Sequence, residues 1–224
     1  MFSISINRYA KTALPIAVLC FFSWNTYAQN ADTWTLKKSE SGISVYARDA
    51  ENSSYKELKS ILYLKTSLSS LVALLSDYES YPKWVYRCGV STTIKRISEL
   101  ETIHYQNIVA PWPVDSRDFV VNIKLSQDPL SGAVSLVSSC IPNYIPKVKD
   151  HVRITEFRAS WTLTPQKDGT VEVVYQLLVN PGGSIPAWLI NLAVVDGPFE
   201  TSLNLIQWIK KDKYQKAVLP FIKN

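Results

Sequence analysis

Few residues in this 224-residue chain can do bond-making chemistry: it holds 2 His, 3 Cys and 1 Met. His104 shares a strand face with Thr102 and Gln106, a face that reads as outward, and His151 opens a strand. No His–Glu pair, Cys/His cluster or glycine-rich phosphate loop is present, so no catalytic residue, metal site or cofactor is expected. Asp77 is a carboxylate open to two uses, as a base or as the partner of a buried cation.

Aromatic side chains are the abundant resource, with 7 Trp and 12 Tyr. Trp84, Trp112, Trp161, Tyr175, Trp188 and Phe199 fall on inferred inward faces or at loop mouths, where they form core or line a cavity. Tyr175 is flanked on its face by Val171, Val173, Leu177 and Val179, and a buried phenol needs a hydrogen-bond partner. Two arginines begin apolar rows. Arg117 leads Phe119, Val121, Ile123 and Leu125; Arg153 leads Thr155, Phe157, Ala159, Trp161 and Leu163. Either head points inward, needing Asp77, Asp115, Asp118 or a polar ligand, or it sits at the wet end of its strand with only the stem packed.

The elements that must position these groups follow from periodicity. Residues 34–38, 43–48 and 55–65 read as strands. Ser67 to Leu75 reads as a short helix capped by a serine or threonine, and Asp77 to Trp84 as a second helical piece broken near Pro82. Six more strands follow near residues 90–97, 102–109, 117–126, 133–140, 152–163 and 170–179. Their short connections favour an antiparallel meander. From Ser184 and Pro186 a long helix is expected, with Trp188, Leu192, Val195, Phe199, Leu203, Ile206 and Ile209 as one apolar stripe that Gly197-Pro198 interrupts. The class is α+β: a curved nine-stranded antiparallel sheet gripping a long C-terminal helix, with two short helices after the third strand. The space between sheet and helix is either packed or a cavity.

Arg8 and Lys11, an apolar run from Thr12 to Trp24 and the small residue Ala28 make a secretory signal peptide. Residues 1–28 are thus expected to be removed on export to the periplasm or beyond, leaving 29–224 as a single domain. That portion carries +3, unlike a nucleic-acid binder, and a monomer is expected. Lys210, Lys211, Lys213 and Lys216 form either a solvated helix face or a weak, transient contact with anionic headgroups. Cys88 and Cys140 are read as free, packed thiols. The composition, 46% hydrophobic and 19% charged, excludes disorder, collagen and coiled coil.

Four stretches resemble the START family of lipid-transfer domains, which have the helix-grip fold. They are Trp34; Leu75-Ser76-Asp77-Tyr78 through Tyr81-Pro82-Lys83-Trp84; Pro111-Trp112-Pro113 through Ser116-Arg117-Asp118-Phe119; and Val179-Asn180-Pro181-Gly182-Gly183 through Pro186-Ala187-Trp188-Leu189-Ile190-Asn191. The resemblance implies a tunnel between sheet and C-terminal helix that holds one lipid, with that helix and nearby loops as a gate. Cavity candidates are Asp77, Trp84, Arg117, Phe119, Arg153, Trp161, Tyr175, Trp188, Leu192 and Phe199. Gate or hinge candidates are Trp112, Gly182, Gly183, Gly197 and Pro198. The expected function is binding and carriage of a lipid or other hydrophobic molecule. The alternatives are a helix-grip enzyme of cyclase or hydrolase type, and a module gripping a protein partner.

Overall fold

Alternating side chains on successive strands, joined by short turns, build one sheet in the computed structural model. The structure describes residue 1 and residues 33–51, 53–112, 114–183, 185 and 194–223. The leader, Trp188, Leu192 and the start of the expected long helix lie outside the described residues.

The strands are β1 (Thr35–Glu40), β2 (Ile43–Asp49), β3 (Lys56–Leu64), β4 (Cys88–Ser98), β5 (Glu101–Ile108), β6 (Ser116–Gln127), β7 (Val134–Cys140), β8 (His151–Arg153), β9 (Glu156–Pro165) and β10 (Val171–Asn180). Nine run in the order β1-β2-β3-β10-β9-β7-β6-β5-β4, and β8 pairs with β6 off that path. Every neighbour on the path is antiparallel, as the short connections predict. The sheet is open, and its two edge strands are irregular. β1 shifts register against β2 between Leu36 and Lys38, and β4 shifts against β5 at three places.

One expected strand divides. Residues 152–163 split at Ile154-Thr155 into β8 and β9, and β8 lies parallel to β6 with Asp118 opposite Arg153. The cause is electrostatic. The Arg153 side chain is 4% exposed and that of Asp118 0%, and they form a bidentate pair, Nε to Oδ1 and Nη2 to Oδ2 at 2.9 Å each. The remaining guanidinium hydrogens go to the carbonyls of Pro142, Ile145 and Pro146 at 2.6–3.1 Å. Five N–H donors thus meet five acceptors, which is what a buried guanidinium requires. Arg153 is therefore not at a wet end: its head is buried against Asp118, one of the partners expected for an inward head, and it serves the sheet and the loop before β8.

Between β3 and β4 the chain forms α1 (Leu68–Leu75) and a 3₁₀ segment, Tyr78–Lys83, that contains Pro82. Ser67 caps α1 by accepting a bond from the Ser70 N–H at 3.1 Å. After β10 come α2 (Asp196–Trp208) and a short α3 (Asp212–Gln215). Gly197 and Pro198 do not interrupt α2. They stand in its first turn, where a missing N–H removes no intrahelical bond. The buried face of α2 is centred on Phe199, Ser202 and Leu205, whereas Leu203 and Ile206 are half-buried. That rotates the expected stripe. Ser202 Oγ lies 2.9 Å from Ser60 Oγ of β3, and two small hydroxyls let helix and sheet approach closely.

Cys88 and Cys140 are free, as expected, with their sulfurs near the carbonyls of Val90 and Ile154. Burial pushes the Cys88 thiol up to about 12, so it is an inert packing group.

Asp118→Ala leaves a buried guanidinium unpaired and should cost about 3–5 kcal/mol in urea unfolding. Adding Arg153→Met should cost much less than the sum of the two single changes. Strict additivity would show that the pair does not carry the register of β6 and β8.

Candidate functional site

The sheet face under α2 is not filled. A cavity of about 190 Å³ lies between β5, β6, β7, β9 and β10 on one side and residues 75–87 with the start of α2 on the other. Its sheet wall is the product of alternation: Phe119, Val121 and Ile123 from β6, Phe157, Ala159 and Trp161 from β9, Tyr175, Leu177 and Val179 from β10. The β6 face is therefore as the sequence predicts. Across it stand Tyr78, Tyr81, Trp84, Tyr86 and Thr201.

The aromatic rings mostly pack on each other. Trp161 and Tyr175, opposite one another across β9 and β10, stack with centroids 4.1 Å apart and planes 9° from parallel. Phe119 stacks on Phe157 at 4.5 Å, while Tyr81 meets Tyr78 and Trp84 edge-on. Several polar tips are tied down. Tyr81 donates to the Leu75 carbonyl at 2.5 Å, Trp84 donates to Ser80 Oγ at 3.0 Å, and Thr201 Oγ1 accepts from the Tyr86 N–H at 3.2 Å. Burial raises the phenols of Tyr81 and Tyr175, so both stay protonated.

Among the named candidates, Trp84, Phe119, Trp161, Tyr175 and Gly197 line the cavity. The others stand elsewhere. Asp77 is bound by Lys213 Nζ at 2.6 Å and Tyr214 OH at 2.7 Å, clamping α3 to the 3₁₀ segment. Burial alone would raise its carboxyl, but those two bonds, the Lys213 charge and Ser80 together outweigh it and hold the group below the usual carboxylate range. Phe199 is core, with Lys38 Nζ 3.4 Å above its ring centroid. Arg117 is buried beyond the end of the cavity. It donates to the Asp115 carbonyl, its Nε has no partner among the described residues, and its burial outweighs the Asp115 carboxylate in lowering the guanidinium. Its Nη2 would lie 3.5 Å from a Cβ at Gly183, and Gly182 and Gly183 both have positive φ, so this turn admits glycine best. Trp112 is 93% exposed at the tip of the β5–β6 loop. Pro198 is buried in α2 and is no part of the lining.

His104 corrects the outward reading of its strand face. It is 1% exposed and lines the cavity with Gln106. Both faces of β5 are largely buried, so alternation alone could not tell inside from outside. Ser91 Oγ donates to the Tyr78 carbonyl at 2.5 Å and so accepts from His104 Nε2 at 3.1 Å. That leaves Nδ1 unprotonated. Nδ1 has no partner among the described residues. Burial pulls the imidazole down to about 4, opposed in part by the Thr92 backbone, which falls short of hydrogen-bond geometry. His104 is thus a neutral polar group at neutral pH. Ser138 of β7 also lines the cavity and was likewise not singled out from the sequence.

The model of the START domain family matches residues 24–202. An uncharacterised protein of Pseudomonas aeruginosa is 34% identical over 171 residues, 76% of this chain and 84% of that protein. The phosphatidylcholine transfer protein of Rattus norvegicus is 24% identical over 168 residues, 73% of this chain and 78% of that protein. Among solved structures, a STAR-related lipid transfer protein fragment from Xanthomonas axonopodis superposes with a TM-score of 0.74 at 36% identity, covering 80% of this chain and all of that one.

Because the folded pKa of His104 lies near 4 and the unfolded one near 6.5, the unfolded chain binds more protons between those values. Stability should therefore fall as pH drops through that window, by about 3 kcal/mol from this group. Urea unfolding of wild type and His104→Gln at pH 7 and pH 4 checks it. The variant should lose less on acidification, and equal losses would refute a buried neutral imidazole.

Proposed function

We propose that this chain, which belongs to the START domain family, binds one lipid in the cavity between sheet and α2 and carries it through water without altering it. The observation that supports this most directly is the unfilled, mainly apolar and aromatic space beside the hydrophobic core, between sheet and α2. Each methylene taken from water gains roughly 0.8 kcal/mol. A bilayer offers nearly the same, so such a protein need only match the membrane while easing the lipid's exit.

At about 190 Å³ the space is smaller than the roughly 300–1,000 Å³ usual for ligand pockets. A whole lipid therefore widens it. The first turn of α2 is the moving part in this reading, because Gly197 borders the cavity while Ser202 and Asn204 hold the helix further along, to Ser60 and the Trp84 carbonyl. Gly182 and Gly183 are the second flexible point. The exposed Trp112, at the end of the sheet where Arg87 lines the cavity, is the group that meets the bilayer surface. Arg8, Lys11 and the short apolar stretch after them support work outside the cytoplasm, in the periplasm or beyond, and in this reading the domain acts as a monomer. Carriage is favoured over catalysis because, among the described residues, the His104 side chain hydrogen-bonds to Ser91 and to no carboxylate, and Asp77 is held by Lys213 and Tyr214.

Native mass spectrometry of residues 29–224, purified without detergent from the envelope of the host, should show one stoichiometric lipid adduct. A mass that stays free of adduct after incubation with total host lipid would overturn the reading. Trp112→Ala should slow vesicle-to-vesicle transfer several-fold and leave the adduct in place. Unchanged transfer would remove Trp112 from the membrane contact.

A further inference from the structure

The charge and hydrogen-bonding capacity of the cavity wall say what kind of lipid it suits. At neutral pH, Arg87 carries the one formal charge among the described lining residues. It is exposed, with its guanidinium 5.3 Å from the Tyr86 ring centroid, and so belongs to the rim rather than the interior. Residues 186–193 carry no ionisable side chain, so that segment adds no charge wherever it lies.

The interior nonetheless has polar groups to spare. Gln106, Ser138 and Tyr175 line the cavity from β5, β7 and β10, and their side chains hold no hydrogen bond among the described residues. His104 adds a buried imidazole nitrogen without a partner. Each of these groups is neutral, and the first three can both donate and accept. Polar groups in an apolar space are costly unless something satisfies them, and an ion there is far costlier unless a counter-charge meets it. No interior cation is present among the described lining residues to meet a phosphate or carboxylate. A quaternary ammonium would need open aromatic faces. Here the rings are engaged with one another: Trp161 and Tyr175 each cover one face of the other, as do Phe119 and Phe157, and Tyr81 meets Tyr78 and Trp84 edge-on.

We infer that the buried end of the ligand is uncharged and bears a hydroxyl or ester group, so that this cavity selects a neutral lipid, a glyceride or a sterol, over a phospholipid. The inference rests on the lipid-binding reading and narrows it. Gln106 and Tyr175 are its specificity-determining residues, one from β5 and one from β10 of the sheet wall.

The test offers residues 29–224 four probes separately, each in vesicles of otherwise inert composition: dioleoylglycerol, cholesterol, dioleoylphosphatidylglycerol and dioleoylphosphatidylcholine. Bound lipid is counted by native mass spectrometry after removal of the vesicles. Occupancy by dioleoylglycerol or by cholesterol at least tenfold above both phospholipids is expected, and the better of the two names the source. Equal or greater occupancy by either phospholipid would overturn the inference while leaving lipid carriage intact. No adduct with any probe would count against carriage itself. Tyr175→Phe keeps the stack on Trp161 and removes only the hydroxyl. It should weaken the preferred neutral lipid about tenfold, the loss of one buried hydrogen bond, with unchanged thermal stability. Unaltered affinity in both Tyr175→Phe and Gln106→Leu would overturn the assignment of the polar contact to these residues.

Discussion

A guanidinium that is almost fully buried leaves a protein little freedom. Arg153 can stay charged inside the sheet only if all five of its hydrogens are met, and the acceptors come from three separated places in the chain: Asp118 on β6, and the carbonyls at 142 and at 145–146 in the loop before β8. Satisfying them draws β8 alongside β6 as a parallel strand, against the antiparallel habit of the rest of the sheet. It also sets which face of β6 carries Asp118. The opposite face then holds Phe119, Val121 and Ile123, which form a wall of the cavity. One ion pair on one side of a strand thus fixes the apolar surface on the other.

The cavity combines two requirements that pull apart. An apolar lining lowers the free energy of a hydrocarbon relative to water, but a lining of hydrocarbon alone would hold any greasy molecule in any orientation. Aromatic pairs such as Trp161 with Tyr175 supply rigid area, and the neutral groups of His104, Gln106 and Ser138 supply direction. Keeping those groups uncharged lets them sit in a poorly solvated space at modest cost. Arg153 and Arg117 stand apart from the lining and Arg87 only borders its rim, so strong charge builds the frame and weak polarity lines the interior.

Much of this architecture is legible in the residues because the sheet obeys simple rules. β6 alternates apolar with polar from Val121 to Ser126, and α1 follows a serine with an apolar stripe, so the burial of these stretches follows directly. What was not legible has physical causes. On β5 both Ile103 and His104 are buried, so hydrophobicity does not mark the inner face, and the polar row proved to be the one lining the cavity. The partner of Arg153 lies thirty-five positions away, and Asp77, Asp115 and Asp118 satisfy the sequence pattern equally well; the strand pairing decides between them. Gly197-Pro198 carries the same local preference whether it interrupts a helix or begins one; only the observed boundary of α2 separates the two. The buried face of α2 turned toward Ser202 because a hydroxyl pair with Ser60 permits a closer approach than a leucine would.

The open sheet has a further consequence at its margins. A sheet that wraps a helix without closing must end somewhere, and an unpaired strand is a template on which another molecule can add its own. Both margins here are spoiled for that purpose. β1 bends at the irregularity between Leu36 and Lys38 and presents Lys37 and Glu40, while β4 breaks step three times and exposes Lys95 and Arg96. Bulges and charges of this kind deter edge-to-edge polymerisation. The opening that gives the fold its internal space is thereby kept from becoming a nucleus for fibres.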